Sequence, residues 1–111
     1  LNIKMIETSE AIEEIDVSNQ RAWDMVRTDP SLTLELSQEN LKRSEELSYE
    51  KGIAWSKGNM GAAYTWLSEY DKAIESNYEA VELLHDCGEF QQEVQIEYYL
   101  FIVFYLLNDE D

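Results

Sequence analysis

The chain has 111 residues, of which 44% are hydrophobic and 12% aromatic, enough for one continuous core and too apolar for a disordered segment. Twenty-four acidic residues against eight basic ones give a formal net charge of −16. Such a surface repels phosphate backbones and anionic lipid, so nucleic acid and membrane surfaces are disfavoured as partners and a basic or neutral protein or peptide fits better.

Cys87 is the only cysteine, which rules out an intrachain disulfide or a multi-cysteine metal centre and suits a reducing cytoplasm. One proline and four glycines leave few helix breakers. The opening LNIKMIETSE lacks a basic cluster followed by an apolar core and so is not a secretory signal. The chain starts on Leu1 and stops in Asp109-Glu110-Asp111, which reads as an excised fragment with a truncated end over 108–111.

Residues 1–8 carry no clear period and read as an arm or a ragged helix start. From Ser9, a candidate N-cap, Ile12, Ile15, Asn19, Ala22, Trp23 and Val26 recur at spacings of three and four, the stripe of a helix buried on one side. That helix is expected to stop at Thr28, because Pro30 disfavours helical geometry at Asp29. Asp29 as cap and Pro30 in the first helical position open a second helix. Leu34, Leu41 and Leu47 mark its apolar side, widened by Leu32 and Leu36. A turn is expected over Tyr49–Gly52, then helices over about 53–67, 70–86 and 89–107, with Gly88 as a left-handed terminator of the fourth. No strand pattern survives: the β-former run YYLFIVFYLL continues a helical segment without a turn residue. It is also about half the ~20 residues a membrane span needs.

The stretch from Gly52 to Gly88 places Met60-Gly61, Tyr64, Tyr70, Ala73 and Ala80 in the order and spacing of a tetratricopeptide (TPR) repeat, which it resembles. A shift of about 40 residues brings Asn19 onto Asn59, Thr33-Leu34 onto Ala73-Ile74, Tyr64 onto Phe104 and Leu67 onto Leu107. The turns at Arg27-Thr28-Asp29, Leu67-Ser68-Glu69 and Leu107-Asn108-Asp109 fall into step. This resembles the extended, roughly 40-residue TPR of kinesin light chain and bacterial peptide-sensing regulators. The order Asn19 to Trp23, Asp29-Pro30, a long acidic helix and Gly52-Ile53-Ala54 is similar to N-terminal regions of bacterial signalling proteins, including diguanylate cyclases and sensor kinases. The family departs from this chain at Arg21 and Phe101, where Gly61 stands in the middle repeat, at Thr33, and at Asn77.

The resemblance implies an all-α fold: about five helices as antiparallel hairpins in a short right-handed superhelix, with repeats over 9–50 and 51–88 and a half repeat over 89–107. It implies a non-enzymatic peptide- or protein-binding module, the sensory or docking part of a signalling protein; the alternative is a dimerisation module that brings attached catalytic domains together. By carry-over the concave face takes Asn19, Trp55, Asn59, Ala62, Trp66, Tyr98, Ile102 and Tyr105, the asparagines holding a ligand's backbone and the aromatics forming side-chain pockets.

Independently of the resemblance, helix five ends the array uncovered, and its apolar C-terminal half requires burial on more than one side. Self-association through Phe101, Ile102, Phe104 and Tyr105 is one solution, a following helix the other. The paired carboxylates Glu13-Glu14 and Glu45-Glu46 read as solvated faces. His85 beside Asp86 and Cys87 lacks a second His or Cys to complete a ligand set, and Gly58 and Gly61 lack a phosphate loop's Lys-Ser/Thr ending. No catalytic residue, metal or cofactor is therefore expected.

Overall fold

The computed structural model of the chain describes residues 2–109, and these form five α-helices with no strand among them. They are α1 (Ile3–Asp24), α2 (Pro30–Glu46), α3 (Glu50–Trp66), α4 (Tyr70–Asp86) and α5 (Phe90–Asp109). Three-residue turns join α2, α3, α4 and α5, so these neighbours run antiparallel as a stack of hairpins. Helices α1 and α5 both contact α3, whereas α2 and α4 contact α3 without touching each other. The stack therefore has one close-set layer, α1–α3–α5, and one splayed layer, α2 and α4. A surface curves towards its close-set side, which makes α1–α3–α5 the concave face. The radius of gyration is 14.5 Å, with extents of 59 × 27 × 19 Å; a compact domain of this length would have about 13 Å.

The 40-residue period is structural. Helices α2 and α4 begin 40 residues apart, as do α3 and α5. The sequence of buried and exposed positions from 30 to 50 is repeated without exception from 70 to 90. Three of the turns share one geometry. The N–H groups of Tyr49, Glu69 and Glu89 reach back to the carbonyls of Ser44, Tyr64 and Leu84 at 2.8, 2.9 and 2.9 Å. This six-residue closure needs a left-handed residue just before it. Gly88 (φ 76°) supplies it as expected, but Ser48 (φ 52°) and Ser68 (φ 60°) hold the same conformation with a Cβ. A non-glycine residue there costs about 1 kcal/mol. Ser48→Gly and Ser68→Gly should each raise stability by about 0.5–1 kcal/mol in urea unfolding. They lie at opposite ends of α3, about 25 Å apart, so the gains should add.

Several local expectations change. The 1–8 segment is not an arm: α1 begins at Ile3, capped by Asn2, whose Oδ1 accepts from Met5 N at 2.8 Å, and Ser9 lies inside the helix. Leu1 falls outside the described residues. The α1–α2 turn departs from the others, since α1 stops at Asp24 and Asp29 N closes back on Met25 O at 2.8 Å. Asp29 caps α2, accepting from Leu32 N at 3.1 Å, with Pro30 first in the helix. The turn expected over Tyr49–Gly52 ends at Tyr49, and Gly52 lies within α3. The turn expected at Leu107-Asn108-Asp109 is helix, because no breaker occurs there and α5 continues through Asp109. Residues 110 and 111 lie outside the described region.

The most informative correction concerns α2. Its leucines sit at the rim, and its fully sheltered positions are Thr33, Ser37, Asn40 and Ser44. Alanines and glycines elsewhere in the core explain why. Ala22, Ala54, Ala62, Ala63, Ala73 and Ala80 are all buried, and backbones separated by such small residues approach too closely for a leucine ridge. A Cβ added at Gly52 would overlap Ser44 Oγ, and one at Gly61 would overlap the Asn77 amide. At Gly58 it would meet Ile96 Cγ1 at 3.3 Å. Small polar side chains are what fit such a seam. Few large apolar side chains, among them Ile15, Leu84, Ile96 and Val103, complete the core.

Candidate functional site

Helices α1 and α5 flank a groove on the concave face, floored by α3. It consists of three depressions in a row. The first, about 140 Å³, is lined by Asp16, Asn19, Gln20, Lys51 and Trp55. The second, about 550 Å³, shares Gln20 and Trp55 with it and adds Trp23, Glu89, Phe90, Gln92 and Gln95. The third, about 680 Å³, shares Trp23 and Gln95 and adds Asp24, Val26, Arg27, Trp66, Val94, Tyr98, Tyr99 and Ile102. Along α1 the groove runs from Asp16 to Asp24, about 12 Å at 1.5 Å per residue, and continues to Arg27 in the turn that follows. An extended peptide of about five residues spans it from Asp16 to Arg27.

All three tryptophans of the chain line this groove. Trp66, 46% exposed, donates its Nε1–H to Tyr99 Oη at 2.8 Å. Tyr99 in turn packs edge-on against Trp23 at 5.9 Å between ring centroids, and Arg27 lies over the Trp66 ring at 5.7 Å. These contacts hold the aromatics as a fixed platform bridging α1, α3 and α5. At the opposite end, Lys51 Nζ stands between two carboxylates, 3.9 Å from Asp16 Oδ2 and 3.8 Å from Glu89 Oε1. Tyr49 Oη–H donates to Asp16 Oδ1 and Trp55 Nε1–H to Glu89 Oε1, both at 2.7 Å. Burial, reinforced by the Asp16 carboxylate, raises the Tyr49 phenol above its ordinary range, so it stays a donor at neutral pH. The lining thus carries three carboxylates against two cations, Lys51 and Arg27. Much of the remaining acidity lies outside the lining: Glu35, Glu39, Glu45, Glu46, Glu75, Glu79 and Glu82 on the convex helices are exposed, as are Glu7, Glu10, Glu13 and Glu14 on α1.

The sequence-predicted site residues divide. Trp55, Trp66, Tyr98 and Ile102 come together in the groove. Tyr105 is exposed further along α5, outside the lining residues. Ala62 and Asn59 are buried between helices, and Asn19 borders the first depression but is almost wholly buried beneath it. Asn19 is the hub of a network that joins α1, α2 and α3. Its Oδ1 accepts from Asn40 Nδ2 at 3.1 Å and from Asn59 Nδ2 at 3.3 Å, and its Nδ2 donates to Ser56 Oγ at 3.3 Å. Asn59 Nδ2 also reaches the Asn19 main-chain oxygen at 3.0 Å, and Asn40 donates to Ser18 Oγ at 2.9 Å. With Asn59 fully buried, these amides tie helices together rather than face a ligand. Close packing around small residues has drawn them inside.

Sequence reasoning missed Trp23, Gln20 and Arg27 as groove residues. The spacing held part of the signal: Gln20 and Trp23 share one face of α1, but Trp23 also fits the buried stripe, and Arg27 lies in the turn beyond the helix.

His85 Nδ1 lies 3.1 Å from Glu93 Oε1 on α5, and its ring lies beside Phe90. Burial and the nearby Glu89 charge push the Cys87 thiol up, so the thiolate that nucleophilic chemistry needs is disfavoured. Among the described residues no three His, Cys, Asp or Glu side chains gather into a metal-holding group, and no helix is long and apolar enough to cross a membrane. The chain matches no family model, no curated protein and no solved structure.

Proposed function

We propose that this chain is a TPR-like peptide-binding module whose concave groove takes an extended, electrically neutral segment of about five residues. The observation that carries this reading is the gathering of all three tryptophans, braced by Tyr99 and Arg27, in one groove whose lining is close to neutral although the chain is strongly acidic. Rigid aromatic side chains give large contact area at low ordering cost, and flanking amides such as Gln20 and Gln95 can pair with a peptide backbone. Of the basic or neutral partners that net charge allows, a near-neutral lining favours the neutral ones. Placement as the sensory or docking part of a cytoplasmic bacterial signalling protein rests on the order of sequence motifs.

Selection from a random peptide display library tests the reading, with tryptophan emission as the binding signal. Enriched peptides should be uncharged at their centre and should shift the emission. Trp66→Ala should weaken them by about 2 kcal/mol, roughly thirtyfold, with little change in helicity because the ring is half exposed. Equal enrichment on the wild type and on a Trp23→Ala/Trp66→Ala variant would sink the proposal.

A further inference from the structure

Helix α5 carries an exposed apolar stripe on the side away from the core, and its Phe90, Val94 and Tyr98 also form the edge of the groove. Phe90, Val94, Tyr98, Phe101 and Tyr105 are each 58–65% exposed and follow one another at helical spacing along one face. Phe104 widens the stripe towards α4, where its ring lies 6.4 Å from that of the exposed Tyr78. A patch of this size on a small domain calls for an occupant.

The 40-residue register shows which occupant does not fit. Val94, Tyr98, Phe101 and Tyr105 stand where α3 has Ala54, Gly58, Gly61 and Thr65. On α3 those small residues are buried under α4 and α5, and Asn77 N lies 3.2 Å from where a Cβ at Gly61 would be. Phe101 bars a further helix of the same repeat from approaching α5 as α4 approaches α3. The stripe instead matches itself in reverse. Turned about an axis between residues 97 and 98, Phe90 faces Tyr105 and Val94 faces Phe101.

Charge along α5 selects the same arrangement. Glu89, Glu93 and Glu97 lie at or before its midpoint, and Tyr98 to Leu107 carries no charge. Glu89 and Glu93 are turned to Lys51 and His85, and Glu97 borders the stripe. Parallel pairing would lay the two acidic ends side by side, whereas antiparallel pairing sets each against the uncharged half of its partner and leaves only the two Glu97 side chains close together. Helix dipoles also favour it.

We infer that this stripe is the seat of a second copy of the chain, paired antiparallel through α5 about a twofold axis near residues 97 and 98. A two-helix strip is narrow beside the about 800 Å² per partner of a standard interface, so Tyr78 and Phe104 join the contact and the dimer is of modest affinity. Because two acidic molecules meet through apolar side chains, the association tightens as salt is added. A basic partner would show the opposite dependence.

Sedimentation equilibrium of the whole chain, from low to high micromolar concentration at low and high salt, tests this. The mass should rise towards that of a dimer, more completely at high salt. Phe101→Glu should raise the dissociation constant by about tenfold or more with unchanged helicity, and Glu97→Gln should lower it. In a Cys87→Ser background, a mixture of Val94→Cys and Phe101→Cys chains should form mixed disulfide dimers faster than either alone. A monomer at every concentration, association that weakens with salt or ignores Phe101→Glu, or faster self-crosslinking of Phe101→Cys alone would each overturn the proposal.

Discussion

Replacing Gly61 by leucine should unfold much of this protein. Gly61 sits in the middle of α3 where the Asn77 side chain of α4 crosses, and a single Cβ there already overlaps the Asn77 amide. Alanine and leucine separate two opposing effects. Alanine gains about 1 kcal/mol of helix propensity over glycine but forces the α3–α4 seam open, at a cost of about 1–3 kcal/mol for overpacking. The net loss for Gly61→Ala should be about 1–2 kcal/mol. Leucine adds three more carbons to the same space and should cost about 3 kcal/mol or more, a large share of the 5–15 kcal/mol that holds a typical domain together. In thermal unfolding that is a fall of roughly 10 °C or more.

The neighbour supplies the control. Asn77 is fully buried, and neither of its amide atoms has a hydrogen-bond partner in the protein. Asn77→Ser shortens the side chain to that of Ser37, its counterpart 40 residues earlier, and loses no hydrogen bond. It should therefore recover much of the Gly61→Ala deficit, visible as a coupling of about 1 kcal/mol in a double-mutant cycle. Strict additivity would show that the two residues do not share the seam.

Gly61 also shows what can be read from a one-dimensional pattern. Helix number and type, the Asp29-Pro30 start, the Gly88 stop and the 40-residue period all follow from local chemistry: caps, breakers and apolar spacing. The close α3–α4 approach was legible too, because Gly58, Gly61, Ala62 and Ala63 leave room for nothing larger. The face that α2 turns inward was not. Leucines at 34, 41 and 47 look like a core stripe, yet the packing distance chosen by α3's glycines admits only Thr33, Ser37, Asn40 and Ser44. Which of two neighbouring stripes points inward is decided by the partner helix, and a single sequence does not state it. The same limit puts Asn59 in the interior, sets Asn19 beneath the groove's first depression and hides Trp23 from a reading of the groove.

Those asparagines give the second large effect. Asn19→Ala removes the acceptor for Asn40 and Asn59 and the donor to Ser56 in one step. It also leaves polar atoms of Asn40 and Ser56 with fewer partners in a buried setting, while Asn59 keeps its bond to the Asn19 main chain. A buried polar group left unpaired costs about 1–3 kcal/mol, and a cavity the size of the lost amide adds to that. The expected destabilisation is about 3 kcal/mol, a fall of roughly 10 °C in Tm. Asn19→Leu should fare no better, because it meets the same amides with hydrocarbon. Asn40→Ala removes one spoke rather than the hub and should cost about half as much, since Asn19 keeps its bonds to Asn59 and Ser56. The ordering separates a structural network from a ligand-holding one. If Asn19 and Asn59 instead served a bound peptide, their alanine variants would keep the wild-type melting temperature and lose only affinity. A structural hub loses stability first, in the absence of any peptide, and couples to Asn40 in a double-mutant cycle because the two share a hydrogen bond.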